Sequence, residues 1–300
     1  MPDFEPSEAS ATTGTASSVV ATERGERRAF ALAEGILVIN LDDRPDRWQS
    51  LLREAGRHID EPRLERLSAI RGTALPGYGH PPLFRGRRRD RTWAGRAGCA
   101  LSHREAIALA ARRGWRSVLI LEDDVAFAAD FDAQAARLAS TLHDVRWDIC
   151  YLGFTDPISP FRQLSALCPP GALYELYGCN TTHAYIVRDT AYARLLELLP
   201  TRETIWSWLT RNRAIDRWYA RTLSRHFNVV AVSPSIINQD DSVSDITGRA
   251  KDNAYQTAIP APHTGTGLPY ALMRLLRRLH FSLSGSYDAL RGQIKRLRGF

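Results

Sequence analysis

A three-layer α/β domain with a mainly parallel central sheet is predicted by three observations. Short apolar, β-branched runs alternate with helix-forming stretches along the middle of the chain. One of these runs ends in three consecutive acids, as a buried strand does when it delivers polar groups to a sheet edge. The 300 residues are 44% apolar and 24% charged, which suits one large domain or two lobes sharing a core. Strands alternating with helices imply parallel neighbours joined by right-handed crossovers, and ligands of such sheets gather at the carboxyl ends of the strands.

The first run, Ile36 to Leu41, is followed at once by Asp42-Asp43-Arg44-Pro45-Asp46-Arg47. That reads as a strand leading into a helix capped by Asp42 or Asp43, with Pro45 in the first turn and Trp48, Leu51 and Leu52 on one face. Leu64 to Ile70 reads as a second strand, and Arg71 to Asp90 as a Gly-, Pro- and Arg-rich loop. Its Arg85, Arg87, Arg88 and Arg89 are either solvated or a phosphate clamp. Cys99 to Ala111 is a buried helix ended by Gly114, and Val118 to Leu121 is a strand too short and apolar for anything else. Trp147 to Leu152 and His183 to Val187 repeat the strand pattern, and the latter leads into a helix from Thr190 to Leu199. Between them, the segment Pro157 to Cys179 carries Pro157, Pro160, Pro169 and Pro170 and is expected to be an irregular loop. Trp206 and Trp208 suit either stacking on sugar faces or packing on the sheet.

Domain bounds follow from composition. Residues 1–29 are rich in Ser, Thr and Ala and are expected to be a disordered tail, 30–260 form the folded domain, and 261–300 a basic amphipathic helical tail. The formal charge is +7, and from Ala271 to Phe300 seven basic residues face one acid, Asp288. This tail, with Leu272, Leu275, Leu276 and Leu279 at helical spacing, either lies on an anionic membrane surface or packs its leucines on the domain. Neither a leader peptide nor an apolar run of about 18 residues is expected. The default compartment is therefore the cytoplasm, with the inner face of the cell membrane open to a peripheral protein. Cys99, Cys150, Cys168 and Cys179 lack the close pairing of a zinc site and read as buried thiols.

The chemistry centres on Glu122-Asp123-Asp124. Carboxylates crowded at a strand end raise one another's pKa unless a cation compensates them. A hard divalent ion, Mn2+ or Mg2+, accepts one or two carboxylates and completes its shell with diphosphate oxygens and water. The bland alternative is an acidic helix start. Phosphoryl or nucleotidyl transfer would use similar acids, but no glycine-rich phosphate loop follows any strand. A nucleic-acid module is not expected, because the basic residues concentrate in one tail and one loop and no recognised motif accompanies them.

Five segments then fall into a familiar order: VINLDDRPDRW (Val38 to Trp48), GCALSHREA (Gly98 to Ala106), LILEDDVAF (Leu119 to Phe127), WDICYLG (Trp147 to Gly153) and THAYIVRDTAYARLL (Thr182 to Leu196). Together they resemble glycosyltransferase family 25, which includes bacterial lipopolysaccharide sugar transferases and is similar to collagen galactosyltransferases. The resemblance covers roughly residues 35–250 and implies a nucleotide-diphospho-sugar transferase fold, of the type called GT-A. It also implies inverting transfer of a sugar, often galactose from UDP-galactose, from a nucleotide-sugar donor to a hydroxyl of a glycan or glycolipid. By the same resemblance Asp124 and Glu122 hold the metal and Asp123 faces the ribose or donor sugar. Asn40, Leu41, Arg44, Arg47 and Ala69 line the nucleotide, and Ser102 and His103 approach the donor. Inversion needs a base for the acceptor hydroxyl. Asp216 is the first choice, with Asp241 and Asp245 as rivals or metal-side contributors, and Asp245 and Tyr185 are placed toward the acceptor. Tyr185 suits the core equally well. An inactive homologue that only binds sugars or partners is the remaining alternative.

Overall fold

The structure, a computed structural model, describes residues 32–240, 257–260 and 269–299. The described strands are β1 (Gly35–Asn40), β2 (Leu64–Ser68), β3 (Ser117–Glu122), β4 (Val125–Phe127), β5 (Ile149–Ala166), β6 (Ala172–Arg188), β7 (Val229–Ser233) and β8 (Ile237–Gln239). The α-helices are α1 (Pro45–Ala55), α2 (Asp90–Arg112), α3 (Phe131–Asp144), α4 (Asp189–Leu198), α5 (Ile205–Asn212), α6 (Ile215–Thr222) and α7 (Tyr270–Arg298). Six strands form one sheet in the order β2-β1-β3-β6-β5-β7. β1 runs parallel to β2 and β3, and β5 runs parallel to β7, while β6 alone runs against its neighbours. The sheet is therefore mainly parallel, as the alternation of elements predicts.

Side-chain alternation along these strands builds three layers. Leu37, Ile39, Val118, Ile120, Tyr185 and Val187 point into a core shared with α2, α4, α5 and α6. Their neighbours Ile36, Val38, Leu119, Leu121, Ala184 and Ile186 point into the opposite core, closed by α1 and α3. Burial on both faces explains why β1 and β3 read as unbroken apolar runs. A second, two-stranded sheet pairs β4 with β8 in antiparallel register, Val125 opposite Gln239, and brings the segment ending at Asp240 beside the acidic triplet.

Two expectations need correction, and one open choice is decided. α1 begins at Pro45 as foreseen, but its cap position is Arg44 and no side chain caps it. Asp42 instead accepts from Ser68, and Asp43 pairs with Arg71, so both acids tie the β1 end to the β2 end. The region Pro157 to Cys179 is not an irregular loop. β5 and β6 extend through it as a long antiparallel hairpin. Its prolines are tolerated because Pro157 and Pro160 sit where the register shifts, and Pro169 and Pro170 sit in the turn. Trp206 and Trp208 are buried, and the Trp206 indole donates to the Pro76 carbonyl at 2.7 Å, so both pack rather than present a sugar platform.

The last helix, α7, reverses the usual polarity. Its inward face is polar: Arg274 pairs with Glu175, Arg277 donates to Ser159, and Asp288 accepts from Arg221 at 2.7 Å. Phe281 adds a ring contact with Tyr177. Arg85 and Arg87 donate to the Leu297 and Arg298 carbonyls, satisfying acceptors that a helix end leaves open. The leucines point away from the domain, which removes the reading in which they pack on it.

Candidate active site

The parallel strands β1, β2 and β3 end together, with Asn40 opposite Ser68 and Ile39 opposite Glu122. Asn40 is buried and acts as a hub. Its amide donates to Asp123 at 2.7 Å and to the Arg44 carbonyl, and its oxygen accepts from Arg66 at 2.7 Å. Arg47, on the first turn of α1, donates to Asp123 at 3.0 Å and lies 3.6 Å from Asp124. The helix start after β1 thus delivers a buried guanidinium to the acids after β3. Burial pushes the Asp123 carboxyl up, and Asn40 and Arg47 pull against it.

Glu122 turns the other way. Thr182 of β6 donates to it at 2.9 Å, and the His103 Nε2 lies 3.4 Å from the same oxygen. Burial raises the Glu122 carboxyl, but His103, His183 and Thr182 outweigh it and the net direction is down, so Glu122 is held ionised. His103 is itself buried, and its Nδ1 shares a hydrogen bond of 2.9 Å with the Tyr185 hydroxyl, which continues to Tyr219 at 3.3 Å. Cys99, one helical turn before His103, completes a trio with Glu122 whose ligand-type atoms all lie within 4.8 Å of one another. Among the described residues no such trio includes Asp123 or Asp124.

The segment GCALSH has a physical account residue by residue. Gly98 must lack a side chain, because a Cβ there would stand 2.1 Å from the Ile70 carbonyl oxygen. Ser102 spends its hydroxyl on the Ile70 amide and the Gly98 carbonyl, fastening α2 to the chain after β2. That corrects its expected approach to the donor: it is buried and acts through the position of Ala69 and Ile70. Cys99 and His103 face Glu122. Gly153 of the WDICYLG segment plays a comparable part, since a Cβ would meet the Ile237 oxygen at 2.0 Å and the His183 ring at 2.1 Å. His183 Nε2 bonds that same Ile237 oxygen, joining β6 to β8 under the acids.

Asp216 stands at the first residues of α6, half-buried. Burial raises its carboxyl above the ordinary aspartate range. The Arg217 amide and the Arg96 charge oppose this, and the negative charge of Glu122 adds to it. The helix that carries Asp216 packs on the same face of the sheet as α2, with Tyr219 reaching Tyr185 and through it His103 beside Glu122. Tyr185 is fully buried between His103 and Tyr219, so it belongs to the core and cannot touch an acceptor as placed. Leu41, Arg44 and Ala69 are half-buried at the rim, and Arg44 also pairs with Asp46 at 2.8 Å. Asp241 and Asp245 lie outside the described residues. Asp240 is described, and its amide donates to the Asp124 carbonyl at 2.7 Å.

Three residues of this site escaped the sequence reading of roles. Cys99 and Thr182 both lie inside quoted segments, but their side chains acquire meaning only from Glu122, which is distant in sequence. Arg96 had no signal beyond its position one turn before Cys99.

Residues 33–152 match the family model described as glycosyltransferase family 25 (LPS biosynthesis protein). A human protein named "Inactive glycosyltransferase 25 family member 3" is 31% identical over 183 residues, covering 57% of this chain and 30% of its own length. A Drosophila melanogaster "Glycosyltransferase 25 family member" is 32% identical over 143 residues, 44% of this chain and 22% of its own. The chain thus matches under a third of the length of these curated relatives. The crystal structure of A197 from STIV aligns with 73% of this chain and 97% of its own at 10% identity and a TM-score of 0.35, too low to carry a residue correspondence. Over residues 33–152 the chain is thus similar to glycosyltransferase family 25.

Proposed function

We propose that this domain transfers a hexose, galactose being the first choice, from a nucleotide-diphosphate donor, UDP-linked, to a hydroxyl of a glycan or lipopolysaccharide with inversion. The observation that carries the reading is the convergence at one sheet edge of Asn40, Glu122, Asp123 and Asp124 from parallel strand ends, with Asp216 on the same side.

The acids fit a divalent ion in part. Asp123 is committed to Asn40 and Arg47, which leaves Asp124 and the partly exposed Glu122 as hard oxygen donors. Two carboxylates are what Mn2+ or Mg2+ ordinarily take from a protein when substrate phosphates supply the rest. Such an ion would neutralise charge on the departing nucleoside diphosphate. Asn40 and Arg47 hold the acidic turn rigid, and Arg44 at the rim is suited to the nucleotide or its phosphates. His103 fixes the charge and orientation of Glu122 while Tyr185 fixes His103. Asp216 accepts the proton of the acceptor hydroxyl as that oxygen bonds the anomeric carbon, and burial, which raises its carboxyl, makes it a stronger base than an exposed aspartate.

Arg47 favours a second reading. A guanidinium 3.0 Å from Asp123 and 3.6 Å from Asp124 already compensates much of the negative charge, as a chain that binds a donor without transferring it would require. Purified protein with a panel of nucleotide sugars separates the two. Release of nucleoside diphosphate that depends on manganese and an acceptor supports transfer. Nucleotide binding without release, unaffected by chelator, supports the binding module.

A further inference from the structure

We infer that α7 is a membrane-docking element, which lies flat on an anionic lipid surface with its leucine face in the acyl boundary and its opposite face bolted to the domain. The inference does not depend on the transfer reading, because it rests on a different face of the molecule.

Among the described residues, every exposed large hydrophobic side chain lies on this one helix, from Leu272 at 38% to Leu297 at 77% exposure. An apolar face of that length, open to water, marks an interaction surface rather than scattered surface leucines. Its spacing narrows the kind of partner. Leu272 and Leu290, Leu276 and Ile294, and Leu279 and Leu297 are each eighteen residues apart, five turns of a straight α-helix. A seven-residue repeat is present as well, in Leu276, Leu283, Leu290 and Leu297, as a coiled-coil seam would have it. The spacing therefore suits a flat surface and a second copy of the helix alike, and the charges beside the stripe decide between them.

Charge completes the argument. Arg296 on one border of the stripe, and Arg291 and Arg298 on the other, are exposed. The helix has a single acid, Asp288, and it is turned inward to Arg221. A second copy of the chain would set these arginines against their own kind with no acid to answer them. An anionic bilayer answers them directly, with the long arginine stems reaching along the apolar face to the headgroups. No described helix is long and apolar enough to cross a membrane, so α7 lies on the surface rather than through it. Its inward ties to Glu175, Ser159 and Arg221, and the capping of its end by Arg85 and Arg87, make the helix a fixed mount that holds the domain in one orientation on the lipid.

The test is co-sedimentation of the full chain with phosphatidylcholine vesicles and with vesicles containing added phosphatidylglycerol. Truncation is the wrong variant, since it would also strip partners from Glu175 and Arg221. The expected result is binding to the anionic vesicles that weakens with salt and exceeds binding to neutral vesicles. The triple change Leu279→Glu, Leu283→Glu and Leu290→Glu should abolish it, and each of Arg291→Ser, Arg296→Ser and Arg298→Ser should weaken it about fivefold. Circular dichroism and thermal melting of the variants, unchanged because all these positions are exposed, exclude misfolding as the cause. Failure of wild type to bind anionic vesicles at low salt would overturn the inference. So would a wild-type dimer in sedimentation equilibrium that the triple variant converts to monomer. Vesicle binding needs no donor or acceptor, so its loss is distinguishable from loss of transfer.

Discussion

The acidic strand end and the terminal helix are opposite departures from the rule that charge faces water and hydrocarbon faces the core. At the strand end, Asp123, Asp124 and Arg47 keep side-chain exposures of only 10%, 8% and 10%. On α7, leucines stand in water while arginines and Asp288 face the domain. Each arrangement is unfavourable by itself and implies a missing or compensating partner. The difference is where compensation comes from: the acids are partly answered within the chain by Arg47 and Asn40, whereas nothing described in the chain covers the leucines. That teaches which region can be tested by catalysis and which by association.

The largest effect is expected at the acids. Asp124→Asn should lower turnover about a thousandfold while leaving the fold intact, because the lost charge is needed only when the diphosphate departs. Steady-state release of nucleoside diphosphate checks this, and full activity would remove Asp124 from the site. Next comes Arg47→Met, which leaves Asp123 buried with Asn40 as its remaining polar partner. The expected loss is about 3 kcal/mol in urea unfolding, the usual result of breaking a buried pair from one side. A stable variant would mean that the acids have no need of internal compensation, and the contrast with α7 would fail.

Asp216→Asn should reduce kcat about a hundredfold, in the range of a lost general base. The pH dependence carries a sign. Burial raises the Asp216 carboxyl above the ordinary 3.8, and a base acts only when unprotonated. Activity should therefore rise with pH through that raised value and fall below it, and the asparagine variant should lose this acid limb. A limb that survives in the variant would transfer the role to another acid, Asp241 and Asp245 being the nearest choices by sequence.

Much of the scaffold was legible beforehand because its signals are local. β1 and β3 are buried on both faces, so their apolar runs needed no neighbour to be recognised. The triplet after β3 was legible for the same reason. The β5–β6 hairpin was not, because its outer half is polar and proline-bearing and is held by contacts from far away, including Arg274 on Glu175. Side-chain direction was equally hidden. Tyr185 alternates correctly on its strand, yet only the packing of α2 and α6 shows that His103 and Tyr219 enclose it. For α7 the spacing gave two faces, but a helical period does not say which one the domain will take.

The smallest expected effect is the sharpest check on that last point. If the leucine face of α7 is truly uncovered in the free protein, Leu283→Glu and Leu290→Glu should each change unfolding free energy by less than about 0.5 kcal/mol, as surface substitutions do. Phe281→Ala, on the inward face against Tyr177 and beside Arg221 and Arg277, should cost more, about 1–2 kcal/mol for a half-buried aromatic. Reversal of that order in thermal melts would mean that the leucines pack on protein in solution, and the polarity of the helix would be the ordinary one. The expected order has a physical consequence. Stability would then place no demand on the identity of the outward residues, so only a partner outside the fold would account for leucine or another large apolar residue at each of them.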